Sequence, residues 1–112
     1  MYSLYSRPGA GSAAVEALLA VCEVPYRTID LERAPDGSLP EYFRRLNPKA
    51  EVPTLQLPDD SIMTESAAMM IYIADLHPAA GLAPAVTARE RAPYLRWMMF
   101  LATSVYGCDL RL

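Results

Sequence analysis

The stretch "VPTLQLPDDSIMTES", residues 52–66, decides how this chain is read. Thr54-Leu55-Gln56-Leu57 alternates apolar and polar side chains as a half-buried strand does, with Val52-Pro53 at its mouth. Pro58-Asp59-Asp60-Ser61 is turn chemistry, and Ile62-Met63 is long enough to pair back as a short antiparallel strand. Thr64-Glu65-Ser66 then opens "AAMMIYIADLH", whose apolar positions recur at helical spacing. A strand, a tight turn, a strand and a helix N-terminus within so few residues make a place where something small and charged can be held.

Upstream, Tyr2 to Tyr5 reads as a first strand running into the loop Arg7-Pro8-Gly9-Ala10-Gly11. Ser12 is placed as the N-cap of a helix reaching about Cys22, with Val15, Leu18, Leu19 and Cys22 as its buried stripe. Val24-Pro25 ends that helix and "YRTIDL" forms a second strand. Strand, helix and strand at this spacing make a βαβ unit, so the two strands are expected to be parallel with a right-handed crossover. Asp36-Gly37-Ser38 is a loop, and "PEYFRRL" is a short helix stopped by Asn47-Pro48. The expected order over residues 1–78 is β-α-β-α-β-β-α, an α/β domain.

Proline and glycine cluster again in "HPAAGLAPA", so residues 79–86 are expected to be a linker. Residues 87–112 hold "TARERAPYLRWMMFLATSVYG", which begins charged and becomes apolar on nearly every face. Such a helix is normally buried among others. The expectation is the first helix of an incomplete all-α domain.

Just over half of the 112 residues are apolar and about a fifth are charged, the profile of a folded globular chain. The net charge of −3 argues against a nucleic-acid surface. No apolar run approaches the roughly 20 residues of a membrane span, and "MYSLYSRPG" lacks the regions of a signal peptide, so the cytoplasm is the expected compartment. Cys22 and Cys108 form no CxxC pair, so disulfide scaffolding, zinc binding and dithiol redox chemistry find no support. Met69, Met70, Met98 and Met99 read as packing rather than as metal ligands, and no metal site is expected. His77, the only histidine, reads as a C-terminal cap or a solvated side chain rather than a base, and Cys22 as core.

"NPKAEVPTL" followed by "TESAA", with "LYSRPG" upstream, resembles the glutathione transferase superfamily. The resemblance covers residues 2–78 and implies a thioredoxin-like, four-stranded mixed sheet that binds glutathione. The linker and "RAPYLRWMMF" look like the start of the family's helical half. An X-Pro bond is cis at a cost of only about 0.5–1 kcal/mol. A cis Pro53 would leave the Val52 backbone free to pair with an extended tripeptide, a form of strand addition. Ser66 at a helix N-terminus offers a hydroxyl and N–H groups to a carboxylate, and Glu65 can hold an ammonium. The γ-glutamyl end of glutathione carries both charges. The plainer alternative is that Thr64 or Ser66 caps the helix, with Glu65 as a favourable first-turn acid and Pro53 an ordinary trans proline.

Only a thiolate attacks electrophiles, and a free cysteine thiol titrates near about 8.5. A transferase therefore aims a donor at the sulfur. Relatives supply it near the end of the first strand. Here the Tyr-type position falls on Tyr5, while the Ser-type and Cys-type positions fall on Gly9 and Gly11, which carry no donor. Tyr5 has the best register, with Ser12 and then Ser6 as further candidates and backbone N–H groups of the glycine-rich loop as another. Tyr5 is equally readable as a packed strand aromatic. The resemblance implies a cytoplasmic, homodimeric, detoxifying enzyme that joins glutathione thiolate to a small electrophile, with glutathione as co-substrate and no other cofactor. The alternative is a non-catalytic glutathione-binding or protein-interaction module. A thioredoxin-type oxidoreductase is disfavoured by the missing CxxC.

Overall fold

The computed structural model describes residues 1–7 and 12–105. The glycines at 9 and 11, Cys108 and the end of the last apolar segment lie outside the described residues.

The strands are β1 (Tyr2–Ser6), β2 (Tyr26–Asp30), β3 (Thr54–Gln56) and β4 (Ile62–Met63). They form one sheet in the order β2-β1-β3-β4. β1 pairs parallel with β2 and antiparallel with β3, and β3 pairs antiparallel with β4. This is the thioredoxin-like mixed sheet that the sequence predicts. With neighbours on both sides, all five residues of β1 are buried.

Side chains of successive strand residues leave opposite faces, so each face has its own core. One face is covered by α1 (Ala13–Val21) and α3 (Ser66–Leu76). Their Val15, Leu19, Met69 and Ile73 meet Tyr2, Leu4, Val24 and Leu55, with Leu18 and Cys22 partly buried beside them. α2 (Glu41–Leu46) covers the other face, where Phe43 packs with Tyr5, Leu31 and Leu39.

Two helix starts differ in detail from expectation. Ser12 holds the N-cap position of α1 but makes no side-chain capping bond. Its hydroxyl instead lies 2.6 Å from that of Ser6, and both serines are buried. The segment expected to be helical from residue 87 begins instead as α4 (Arg91–Phe100), continuing as a π-helical stretch over Leu101–Val105. Pro93 accounts for the later start, since a residue without an N–H is tolerated only in a helix's first turn. Residues 79–86 are largely irregular, after a single 3₁₀ turn at Pro78–Ala80 that Gly81 closes at φ 67°. His77 caps α3 as expected, its Nδ1 lying 3.0 Å from the Ile73 carbonyl.

Candidate glutathione-binding site

The Val52-Pro53 peptide bond is cis. The turn carrying it is held by a small polar network that reading the sequence missed. In the sequence Asn47 reads only as a helix stop. Its buried side-chain amide donates to the Thr54 hydroxyl at 3.0 Å and to the Glu51 carbonyl at 3.4 Å, and its Oδ1 accepts from the Lys49 N–H. The fully buried Thr54 hydroxyl donates to the same Glu51 carbonyl at 2.6 Å. The usable signal was an Asn followed by Pro, a residue type that bonds its own backbone two positions on. Pairing between β1 and β3 begins at Tyr5↔Thr54, and the Val52 N–H and C=O have no backbone partner among the described residues.

β4 delivers the chain to the N-terminus of α3. Glu65 is the N-cap there, at φ 71° and ψ 110°, and makes no side-chain capping bond. A non-glycine residue at positive φ is uncommon, and such strain collects at functional positions. Neither Thr64 nor Ser66 occupies the cap position, and the first N–H groups of the helix are left to other partners. Glu65 is exposed and Ser66 half-buried. Ser66 opens onto an apolar cleft of about 390 Å³, lined also by Ala13, Ala14, Met70, Met98, Leu101 and Ala102.

The three donor candidates separate by sheet face. Tyr5 points to the α2 side, where its ring lies 5.4 Å from that of Phe43 and its hydroxyl donates to Gln56 Oε1 at 3.2 Å. Ser6 and Ser12 lie on the opposite side, at the start of α1, the face that also carries Ser66 and the apolar cleft. Strand register brought Tyr5 forward, but alternation turns its side chain away from that face.

A second cleft, of about 320 Å³, is bordered by Val52 together with Ala50, Glu51, Arg7 and Arg33. Arg7 Nε is buried and has no hydrogen-bond partner among the described residues. Neither arginine stands out in the sequence, because an isolated cation carries no pattern. No helix among the described residues is long and apolar enough to cross a membrane.

The family model for the glutathione S-transferase N-terminal domain matches residues 12–76, more than half of the chain. The GST-like protein YncG of Escherichia coli K12 is 37% identical over 107 residues, covering 95% of this chain and 51% of that protein. A glutathione transferase from Methylococcus capsulatus superposes with a TM-score of 0.82 at 32% identity, over 95% of this chain and 53% of that one. A homologue from Sulfitobacter, solved with bound glutathione, superposes at 0.79 and 31% identity over 97% of this chain and 52% of that one. The chain thus spans about half the length of the relatives it matches. By its matched domain, its mixed sheet and these relatives, the chain belongs to the glutathione S-transferase family.

Proposed function

We propose that this chain binds glutathione along Val52, Pro53, Glu65 and Ser66 and directs its thiolate at small electrophiles. The observation that carries the reading is the N-terminus of α3, uncapped by any side chain and opening at Ser66 onto an apolar cleft. In this reading the γ-glutamyl carboxylate meets the Ser66 hydroxyl and helix N–H groups, and the ammonium meets Glu65. The cysteinyl backbone pairs with Val52. Arg7 and Arg33, across the cleft beside Val52, receive the glycyl carboxylate. The sulfur is aimed by Ser12, on the same sheet face as Ser66, with Ser6 bonded behind it. Thiolate sulfur forms a bond to an electrophilic carbon, and the leaving group departs with its electron pair.

Calorimetric titration of glutathione tests the site. Glu65→Ala and Ser66→Ala are each expected to weaken binding by about 1–3 kcal/mol without unfolding the domain. Unchanged affinity in both would return these residues to a purely local role at the helix start. Ser12→Ala is expected to lower turnover by about 10²–10³, and Tyr5→Phe to leave it nearly unchanged. The reverse pattern would move the donor back to Tyr5.

The second reading, a glutathione-binding module without turnover, is favoured by glycines at the Ser-type and Cys-type positions, Gly9 and Gly11, together with the Tyr5 hydroxyl being bonded to Gln56. A generic aromatic electrophile separates the two readings by showing turnover or none. We assign the protein to the cytoplasm, where thiols stay reduced, and to detoxification as a homodimer. Its layout in this reading is a glutathione-binding domain over 1–78, a linker over 79–86 and a helical segment over 87–112.

A further inference from the structure

The apolar cleft has walls from two parts of the chain: Ala13, Ala14, Ser66 and Met70 from α1 and α3, and Met98, Leu101 and Ala102 from α4 and its continuation. Among the described residues, no residue of α4 is buried. The fixed point is at the other end of the helix. There Arg91 meets Asp75 of α3 in two parallel hydrogen bonds, Nη1 to Oδ1 and Nη2 to Oδ2, each 2.8 Å. Nη1 also donates to the Pro84 carbonyl at 3.0 Å, and the guanidinium carbon lies 5.3 Å from the Tyr94 ring centroid. The Arg91 side chain is only 12% exposed. One guanidinium therefore ties the last turn of α3, the connecting segment and the first turn of α4 together. A planar fork fixes orientation as well as distance, which a lysine in its place does not.

We propose that the Asp75–Arg91 pair is a specificity-determining hinge pin, setting the angle of α4 and through it the width of the apolar cleft. The lever is long. At about 1.5 Å of rise per residue, the cleft wall near Leu101 lies about 15 Å from the pin, so a tilt of about 10° displaces it by about 2–3 Å. That is enough to admit or refuse a substituent on an aromatic ring. The consequence for electrophile size rests on the transferase reading above; the geometric claim does not.

Spin labels report the angle directly. They are placed at Glu16→Cys and Met99→Cys, both exposed positions, with Cys22 and Cys108 replaced by serine. Arg91→Lys is expected to shift or broaden the label-to-label distance by about 2–3 Å, and Asp75→Asn, a gentler change, to do so less. The exchange Asp75→Arg with Arg91→Asp should narrow the distribution again. In turnover, the KM ratio between a larger and a smaller aromatic electrophile should change by about tenfold, the discrimination expected of small steric differences, with glutathione affinity unchanged. Unaltered distances in both single variants, with helix content intact, would overturn the proposal. So would loss of glutathione affinity in parallel with the electrophile effect, since that marks general loosening. Failure of the unmodified protein to bind glutathione would sink the transferase reading while leaving the distance measurement decisive for the pin.

Discussion

α3 and α4 are similar in length and both rich in large apolar side chains, yet they end in opposite environments. α3 buries Ala67, Met69, Ile73 and Ala74 against the sheet. Among the described residues no apolar side chain of α4 is buried, and Trp97, Met99 and Phe100 are between 44% and 51% exposed. The difference lies in what each helix meets. α3 is returned to the sheet by the β3–β4 hairpin, so its apolar side chains find Leu4 and Leu55. α4 departs from the domain after a proline-rich connection and is tied mainly at its root. Apolar content decides which helices need burying, and topology decides which are buried.

The largest expected effect tests that contrast. Ile73 is fully buried, so Ile73→Ala should destabilise the chain by about 2–5 kcal/mol. Trp97→Ala removes a larger side chain but, measured at concentrations too low for self-association, should cost no more than about 0.5 kcal/mol, as exposed substitutions do. Urea unfolding of both variants checks the pair. Similar losses would mean that α4 is packed in solution, and the contrast would fail.

Next in size is self-association. Leu95, Trp97, Met99, Phe100 and Leu101 are all exposed on one short segment. Each is worth about 1.5–3 kcal/mol when buried, and a monomer rarely leaves such a patch open. We expect two copies to cover these faces for one another, with Trp97→Glu reversing the pairing. Light scattering giving a mass near 12.4 kDa across micromolar concentrations would refute this.

The Val52 turn lies between these extremes. Asn47→Ala strips three hydrogen bonds from a buried position, so a loss of about 1–3 kcal/mol in stability is expected. Weaker glutathione binding should accompany it, because Val52 would no longer be held. Lost stability with unchanged affinity would uncouple the network from the site.

What was legible in the sequence follows the same division between local and tertiary causes. The order and type of the seven elements over residues 2–76 and the parallel β1–β2 pair could be read, because periodicity, turn residues and crossover handedness act over short spans, whereas the cis bond at Val52-Pro53 followed only from the family resemblance. The direction of Tyr5 was not legible. Alternation along β1 sets it opposite Leu4 and Ser6, but that α2 covers this face and that Gln56 lies within reach of the hydroxyl are tertiary matters. Ser12 shows the same limit from the other side. Its cap position could be read, whereas its bond to Ser6 depends on how β1 and α1 meet. Arg7 and Arg33 are far apart in the chain and meet only across the Val52 cleft.

The smallest effect concerns the root of α4. The hydrogen bond from Arg91 holds the Asp75 carboxyl below its ordinary value of 3.8, and burial opposes this more weakly. A carboxyl whose folded-state value is depressed contributes stability that is complete above the unfolded value and is lost as pH falls through the folded one. The difference between the unaltered protein and Asp75→Asn should therefore be constant from about pH 5 to 8 and shrink below about pH 4. Its size should be modest. The Asp75 side chain is 33% exposed, and solvent screening keeps such pairs to about 0.2–1 kcal/mol. The paired bonds and the sheltered guanidinium place it toward the upper end of that range. Denaturation series at several pH values check both parts, and a difference that persists undiminished at pH 3 would assign the effect to packing rather than charge. If Asp75→Asn nonetheless costs more than Trp97→Ala, α4 is held by one ion pair at its base and hardly at all by its apolar face.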